Sequence, residues 1–334
     1  MKIIRRLLIV FILSCCCTAA FGVWYLQQNI PVRDVVEVEI PTGATLGASV
    51  KILRKNNAVL YPALFQTAAK IYATISKKRL SAGFYRFNSS TTHWQLLAAI
   101  FSGKQAITVN VVFPEGITIQ EFAAIASRQI GIDSVEFMEL ATSDSLRKAR
   151  EIPGKSVEGY IMPDTYNFFW KQRPDAVLDR LLNAHETMWK QFAAEAGEQK
   201  KSKKEILTLA SIIEAETPLD DEKKTVAGLY SNRLEKNMKL EADPTVQYAL
   251  SHKKRLTYKD LETNSPYNTY RFAGLPPGPI NSPGKASIEA ALFPEQHSYL
   301  FFVARGDGSG GHTFSEQYSE HQRAVQLYRK RRTR

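Results

Sequence analysis

Glu214 and Glu216 stand two residues apart at the end of an apolar run, in "ASIIEAET" (210–217), with Pro218 next. A carboxyl group shielded by such a run is held protonated and can act as a general acid. Two carboxyls flanking one bond would instead make the pair of an ordinary glycosidase. On a helix turning about 100° per residue, Ile206, Leu207, Leu209, Ala210, Ile212 and Ile213 form the apolar side. Glu214 and Glu216 then fall on opposite flanks of that side, and residues two apart do not face each other. The pair is badly placed to bracket one glycosidic bond, so any chemistry here falls to one glutamate. Periodicity does not choose between them. Pro218 pushes Thr217 out of the helical region, which leaves Glu216 at the helix end, where the dipole disfavours a carboxylate by about 0.3–1 kcal/mol. That leans toward Glu216 as the acid. The plain alternative is two solvated surface charges.

Other chemistries find less support. The histidines, at 93, 185, 252, 297, 312 and 321, have no short metal-ligand spacing. The glycine run "GDGSGGHTF" lacks the following helix of a dinucleotide site and the Gly-Lys-Ser/Thr of a P-loop. No Gly-x-Ser-x-Gly elbow is present. Neither a metal nor a cofactor is expected. Three segments, "DPTVQYAL", "YNTY" and "GHTF", mix amide, hydroxyl and aromatic groups in loops, the groups that bind sugars. Each alone reads as ordinary turn chemistry. Together, downstream of a glutamate-bearing apolar helix, they read as a site.

The elements that must position these groups begin with an apolar stretch. "MKIIRR" is followed by Leu7–Ile30 without a charge, of which roughly 20 residues are apolar, enough to span a bilayer. The basic cluster on its N-side predicts a cytoplasmic N-terminus and an exported remainder. A cleaved signal peptide is the rival. Cys15, Cys16 and Cys17 are the only cysteines and all lie in this stretch, so the exported part has no disulfide or thiolate nucleophile. The net charge of +11 suits an acidic partner. Scattered basic residues and an extracytoplasmic setting argue against nucleic acid. The terminal "RKRRTR" reads as a frayed tail.

From Val35, "VVEVEI" alternates as a strand, and two helices, an aromatic-rich strand ("RLSAGFYRFN") and a helix ended by Gly103 follow. The segment "ITVNVVFPEGITIQEFAAIASRQIGI" (107–132) then parallels 35–59. Pro41, Gly43 and Thr45 match Pro114, Gly116 and Thr118 at a constant offset of 73. Each copy reads as strand, turn and a helix capped by the threonine, a duplicated βα module. Helices are predicted over about 174–198, over "ILTLASIIEAE" and over about 222–236, and a glycine-turn hairpin at "SYLFFVARGDGSGGHTF". The fold class is α+β in at least two parts.

The stretches "EGYIMPDTY", "LASIIEAET", "SNRL", "LEADPTVQYAL", "LETNSPYNTYRFAGLPPGPINSPGKASIEAAL" and "YLFFVARGDGSGGHTF", in this order over most of 155–325, resemble the YceG-like family of endolytic murein transglycosylases (MltG). The resemblance implies a single transmembrane anchor (1–30), a LysM-like module (31–152) and a mixed α+β catalytic domain (153–334). It implies cleavage of peptidoglycan strands between N-acetylmuramic acid and N-acetylglucosamine, leaving 1,6-anhydro-muramyl ends. The enzyme would lie at the inner membrane with an extracytoplasmic catalytic domain, end the elongation of nascent strands, and have peptidoglycan synthases as candidate partners. The "Glu-x-Glu-Thr" pattern places the catalytic glutamate at Glu216, with Glu214 and Asp243 as supporting candidates. Substrate contacts are assigned to Asn232, Thr245, Gln247, Tyr248, Asn268, Tyr270, His312 and Thr313, and to Asp243, which reads equally as a cap before Pro244. Two rivals are a wall-binding scaffold without chemistry and a pyridoxal-phosphate lyase. The anchor and the lack of a phosphate-cradling glycine loop oppose the second.

Overall fold

The structure is a computed structural model and describes residues 2–41 and 43–332. The chain divides into two compact units, Met1–Asn110 with Asn167–Gln172, and Val111–Tyr166 with Arg173–Arg334.

The first unit begins with α1 (Lys2–Gln27), whose segment Ile4–Gln27 is long and apolar enough to cross a membrane and has none of its apolar core buried. Its last turn is not free. Tyr25 is buried, packed 4.4 Å from the His93 ring, and Gln28 O accepts from both His93 N (3.0 Å) and His93 Nδ1 (2.8 Å). Then come β1 (Val35–Ile40), α2 (Leu46–Lys55), α3 (Pro62–Ser76), β2 (Gly83–Asn88) and α4 (His93–Ser102). β1 and β2 pair antiparallel, from Val35 opposite Asn88 to Ile40 opposite Gly83. Their inner face and the helices bury a core that includes Leu53, Phe65, Tyr85, Leu96 and Ile100. The chain leaves this unit along β3 (Thr108–Val112).

The second unit continues with α5 (Ile119–Ile130), α6 (Ser134–Thr142) and α7 (Asp144–Ala149); the chain then re-enters the first unit along β4 (Thr165–Phe169), β3's neighbour in a two-stranded sheet. The matched Pro-x-Gly-x-Thr turns behave alike locally. Thr45 caps α2 and Thr118 caps α5, each accepting the backbone N–H three residues on at 3.3 Å. Gly43 and Gly116 both have positive φ, 75° and 71°, a region that glycine enters without a Cβ clash.

α8 (Pro174–Trp189), α9 (Ala193–Glu198), α10 (Lys203–Glu216) and α11 (Asp220–Glu235) follow. α10 is the centre of this unit: every residue from Ile206 to Ile213 is buried, and it packs on α11 and on the later α14. It starts at a capping box between Ser202 and Glu205 and stops where Thr217, before Pro218, turns extended (φ −140°, ψ 132°). The remainder comprises α12 (Asp243–Ala249), α13 (Tyr258–Leu261), α14 (Lys285–Leu292), the antiparallel hairpin β5 (Phe301–Ala304) and β6 (His312–Ser315), and α15 (Tyr318–Arg332).

Two expectations are corrected here. "DPTVQYAL" is not a loop: Pro244 sits in the first turn of α12, where its missing N–H costs nothing. Nor does the chain fray at residue 329, because α15 runs to Arg332. Thr333 and Arg334 of the terminal basic run lie outside the described residues.

Candidate active site

The two glutamates of α10 go to separate surroundings, as their flanking positions on the helix require. Glu214 Oε2 accepts from Gly284 N (3.1 Å) and from Ser287 Oγ (2.6 Å), both in the first turn of α14. Lys223 Nζ lies 3.4 Å from the same oxygen, and this lysine side chain, 3% exposed, also pairs with Asp220 at 2.8 Å. Glu214 therefore caps a helix N-terminus and neutralises a buried ammonium. The Gly116 turn presses on it: a Cβ there would stand 3.2 Å from Glu214 Cγ.

Glu216 points the other way. Its Oε1 accepts from the Tyr230 hydroxyl at 2.7 Å. Tyr230 is buried on α11, with its ring edge-on to Phe302 at 6.1 Å. Glu216 keeps some exposure to solvent, yet the protein packed around it pushes its pKa up to about 7. Burial is the chief cause, and the Asp243 carboxylate adds to it; the Tyr230 hydrogen bond and the Arg233 guanidinium pull the other way. Enclosure, more than the helix end, produces the shift. A carboxyl with this pKa is half protonated near neutrality and can donate a proton and then take one back.

Arg233 is fixed by backbone oxygens, with Nε on Leu300 O (2.7 Å) and Nη1 on Lys239 O and Leu240 O (3.0 Å each). It joins α11 to the turn before α12 and to the start of the hairpin. Asp243, the first residue of α12, makes no cap bond, so the capping reading fails; its Oδ1 accepts from the Tyr270 hydroxyl at 2.7 Å. Glu216, Tyr230, Asp243 and Tyr270 are thus brought together from α10, α11, α12 and the following loop.

The remaining expected contacts divide. Gln247 and Tyr248 line a cavity beside Ala215. Gln247 Nε2 donates to Lys254 O (3.1 Å), and the Tyr248 hydroxyl is bonded to the buried Glu158 carboxyl. Thr313 is exposed on β6. His312 opens β6 beside the hairpin turn, opposite Ala304, where Glu222 accepts from its backbone N (2.9 Å) and lies 2.8 Å from Nδ1. Three of the expected residues are bonded within the protein. Thr245 is fully buried, its hydroxyl shared between Ala242 O (2.7 Å) and Thr269 Oγ1 (2.9 Å). Asn268 is fully buried, bonded to Leu261 O (2.9 Å) and Thr263 O (2.8 Å). Asn232 Nδ2 is occupied by His297 O (2.7 Å) and Tyr299 O (3.1 Å). These side chains brace the loops. Small polar residues in turns are read as ligand contacts or as loop braces from the same letters, and only burial separates the two.

Tyr230, Arg233, Lys223 and Glu158 escaped the sequence reading. Tyr230 and Arg233 share a face of α11 with Val226 and Ala227, at the spacing of core positions, so Tyr230 passes for a packing aromatic. Glu158 accepts the Ile119 N–H of α5 (3.0 and 3.2 Å), and burial pushes its pKa up to about 8.

Comparison with known proteins bears on what this arrangement serves. The YceG-like family model matches residues 38–327. An endolytic murein transglycosylase of Bacillus subtilis (strain 168) is 32% identical over 321 residues, which cover 89% of this chain and 85% of that protein. An endolytic murein transglycosylase of Streptococcus pneumoniae serotype 2 (strain D39) is 26% identical over 320 residues, 85% of this chain and 58% of that longer protein. The crystal structure of a yceG-like protein from Listeria monocytogenes aligns with a TM-score of 0.60 at 32% identity, covering 87% of this chain and 99% of that one.

Proposed function

Because this chain belongs to the YceG-like family, we propose that it is an endolytic murein transglycosylase. It cleaves peptidoglycan glycan strands between N-acetylmuramic acid and N-acetylglucosamine and leaves a 1,6-anhydro-muramyl end. The observation that carries the mechanism is the division of labour on α10. Glu214 is spent on α14 and Lys223, and Glu216 alone faces Tyr230 and Asp243 with a pKa near 7.

One carboxyl suffices for this reaction. Glu216 protonates the leaving glycosidic oxygen. The C6 hydroxyl of the same muramyl sugar attacks the oxocarbenium-like anomeric carbon, and the Glu216 carboxylate takes the hydroxyl proton. Attack from within the sugar needs neither a positioned water nor a second carboxylate. Tyr230 fixes one oxygen of Glu216 and leaves the other for the substrate. Asp243, held by Tyr270, supplies negative charge near the developing cation. Gln247, Tyr248, Tyr270, His312 and Thr313 remain as substrate contacts.

In this reading α1 anchors the protein in the inner membrane, with the rest of the chain outside, and residues 1–30, 31–152 and 153–334 serve as anchor, LysM-like module and catalytic domain. The strand–helix–helix–strand order of β1, α2, α3 and β2, with the strands paired antiparallel, supports the LysM-like reading. Action on nascent strands, beside the synthases that make them, completes this reading.

The test is mass analysis of muropeptides after digestion of intact strands. Wild type is expected to release anhydro-muramyl products and Glu216→Gln to release none, while Glu214→Gln loses thermal stability and keeps measurable turnover. Strand binding without products from wild type would leave a wall-binding scaffold. Loss of products in Glu214→Gln alone would overturn the assignment of the acid.

A further inference from the structure

A cavity of about 640 Å³ opens beside the last turn of α10. Its wall includes Ala215 and Pro244, the sequence neighbours of Glu216 and Asp243, and Gly116, whose turn meets Glu214. Thr118, the cap of α5, Glu121 of α5, Tyr248 of α12, and the loop residues Lys253 and Asn281 also stand in it.

Asn281 is 3% exposed. Its Nδ2 donates to Ser211 O at 2.8 Å, which fixes the amide, and its Oδ1 has no hydrogen-bond partner among the described residues. A buried acceptor left without a donor is costly and marks a place where a ligand can supply one. At the rim, Lys253 Nζ pairs with Glu121 at 2.8 and 3.1 Å. Both side chains are well exposed, 64% and 40%, and such a pair is held weakly enough for the ammonium to turn to another carboxylate. Glu121 keeps its bonds in the α5 capping box when Lys253 leaves. Two ring side chains stand in this wall: Tyr248, packed 4.9 Å from Tyr267 with its hydroxyl tied to Glu158, and His252, whose Nδ1 accepts from Lys254 N at 3.3 Å. The wall thus offers amides, hydroxyls and a cation, groups that suit a peptide.

We propose that this cavity receives the peptide stem of the muramyl residue whose glycosidic bond is cleaved. Asn281 Oδ1 accepts a peptide N–H, and Lys253 pairs with a peptide carboxylate. The inference rests on the transglycosylase reading. The sugar that reacts at its anomeric carbon carries the peptide on its lactyl ether, so the peptide must leave the sugar close to Glu216. Occupation of the cavity would seat that sugar and make the enzyme selective for peptide-bearing strands.

The experiment compares kcat/KM on intact strands and on strands stripped of peptide by an amidase. It uses the full chain in detergent, as wild type, Lys253→Ala, Lys253→Glu and Asn281→Ala. Wild type is expected to prefer intact strands by tenfold or more, a factor of ten corresponding to about 1.4 kcal/mol. The preference should shrink at least threefold in Lys253→Ala and further in Lys253→Glu, with unchanged melting temperature. Asn281→Ala, whose bond to Ser211 also braces α10, is read only beside its melting curve. Equal rates on both substrates in wild type overturn the inference. So does a preference that both Lys253 variants retain, or a loss of equal size on both substrates, which would mark a sugar subsite. If wild type makes no anhydro products from either substrate, the transglycosylase reading falls first and takes the inference with it.

Discussion

Replacing Tyr230 by phenylalanine isolates one contribution to the acid. The hydroxyl donates to Glu216 Oε1 at 2.7 Å and stabilises the ionised form, against the burial that raises the pKa to about 7. The phenyl ring keeps its packing against Phe302, so burial and the Arg233 charge stay in place. A hydrogen bond to a charged group contributes about 1.5–3 kcal/mol. At about 1.4 kcal/mol per pKa unit, its loss raises the Glu216 pKa by about one to two units, to roughly 8–9. The general acid must be protonated, so kcat/KM is level below this pKa and falls about tenfold per unit above it. The alkaline limb of the pH profile should therefore start near pH 7 in the wild type and move up by at least one unit in Tyr230→Phe. The assay is kcat/KM for release of anhydro-muramyl products from pH 5 to 10, with a denaturation curve at each pH. A limb that stays in place, or that moves to lower pH, refutes the argument that this bond tunes the acid.

Two further outcomes follow from the same structure. The folded pKa of Glu216 lies above its ordinary value, 4.5, so the folded state binds the extra proton and its stability falls as pH rises from about 4.5 to about 7. Glu216→Gln should then stabilise the protein at pH 8, on the order of 1–3 kcal/mol in a urea titration, and do little at pH 4; equal effects at both pH values would contradict this. Gly228, inside α11, is expected to resist replacement. Alanine would gain about 1 kcal/mol of helix propensity, but its Cβ would stand 2.2 Å from Glu295 O and 2.6 Å from His297 Nε2. Overpacking of this kind costs about 1–3 kcal/mol or more, so Gly228→Ala should lower the melting temperature, and an unchanged or raised value would show that the 295–297 segment yields easily.

Much of the fold was legible because local chemistry and pattern agree. The Pro-x-Gly-x-Thr turns announce their caps, "VVEVEI" alternates, Gly103 ends a helix, and Pro218 ends α10. The helical geometry of "ASIIEAET" by itself separates its two acids. What it could not supply was the partner of each. Whether Glu214 or Glu216 is the spare depends on Gly284 and Ser287 reaching back across 70 residues or more, and on Tyr230 approaching from the next helix. The same limit explains Thr245, Asn268 and Asn232. Their side chains satisfy backbone carbonyls and hydroxyls that exist only once the loops have packed. The cavity beside Ala215 was invisible for a related reason, since its walls come from α5, α12 and two loops.

The seating of α1 has a mechanical consequence. Tyr25 is wedged against His93, Gln28 is bonded to the first residue of α4, and Ile30 N donates to Thr91 O at 2.8 Å. The helix therefore passes into the first unit without a swivel. In a protein anchored through α1, no loose tether sets how high or at what tilt that unit stands over the lipid. For such a protein the standoff is set by the fold, and the search volume is that of lateral diffusion in a plane. Lengthening the chain between Gln27 and Ile30 would exchange a fixed gauge for a leash.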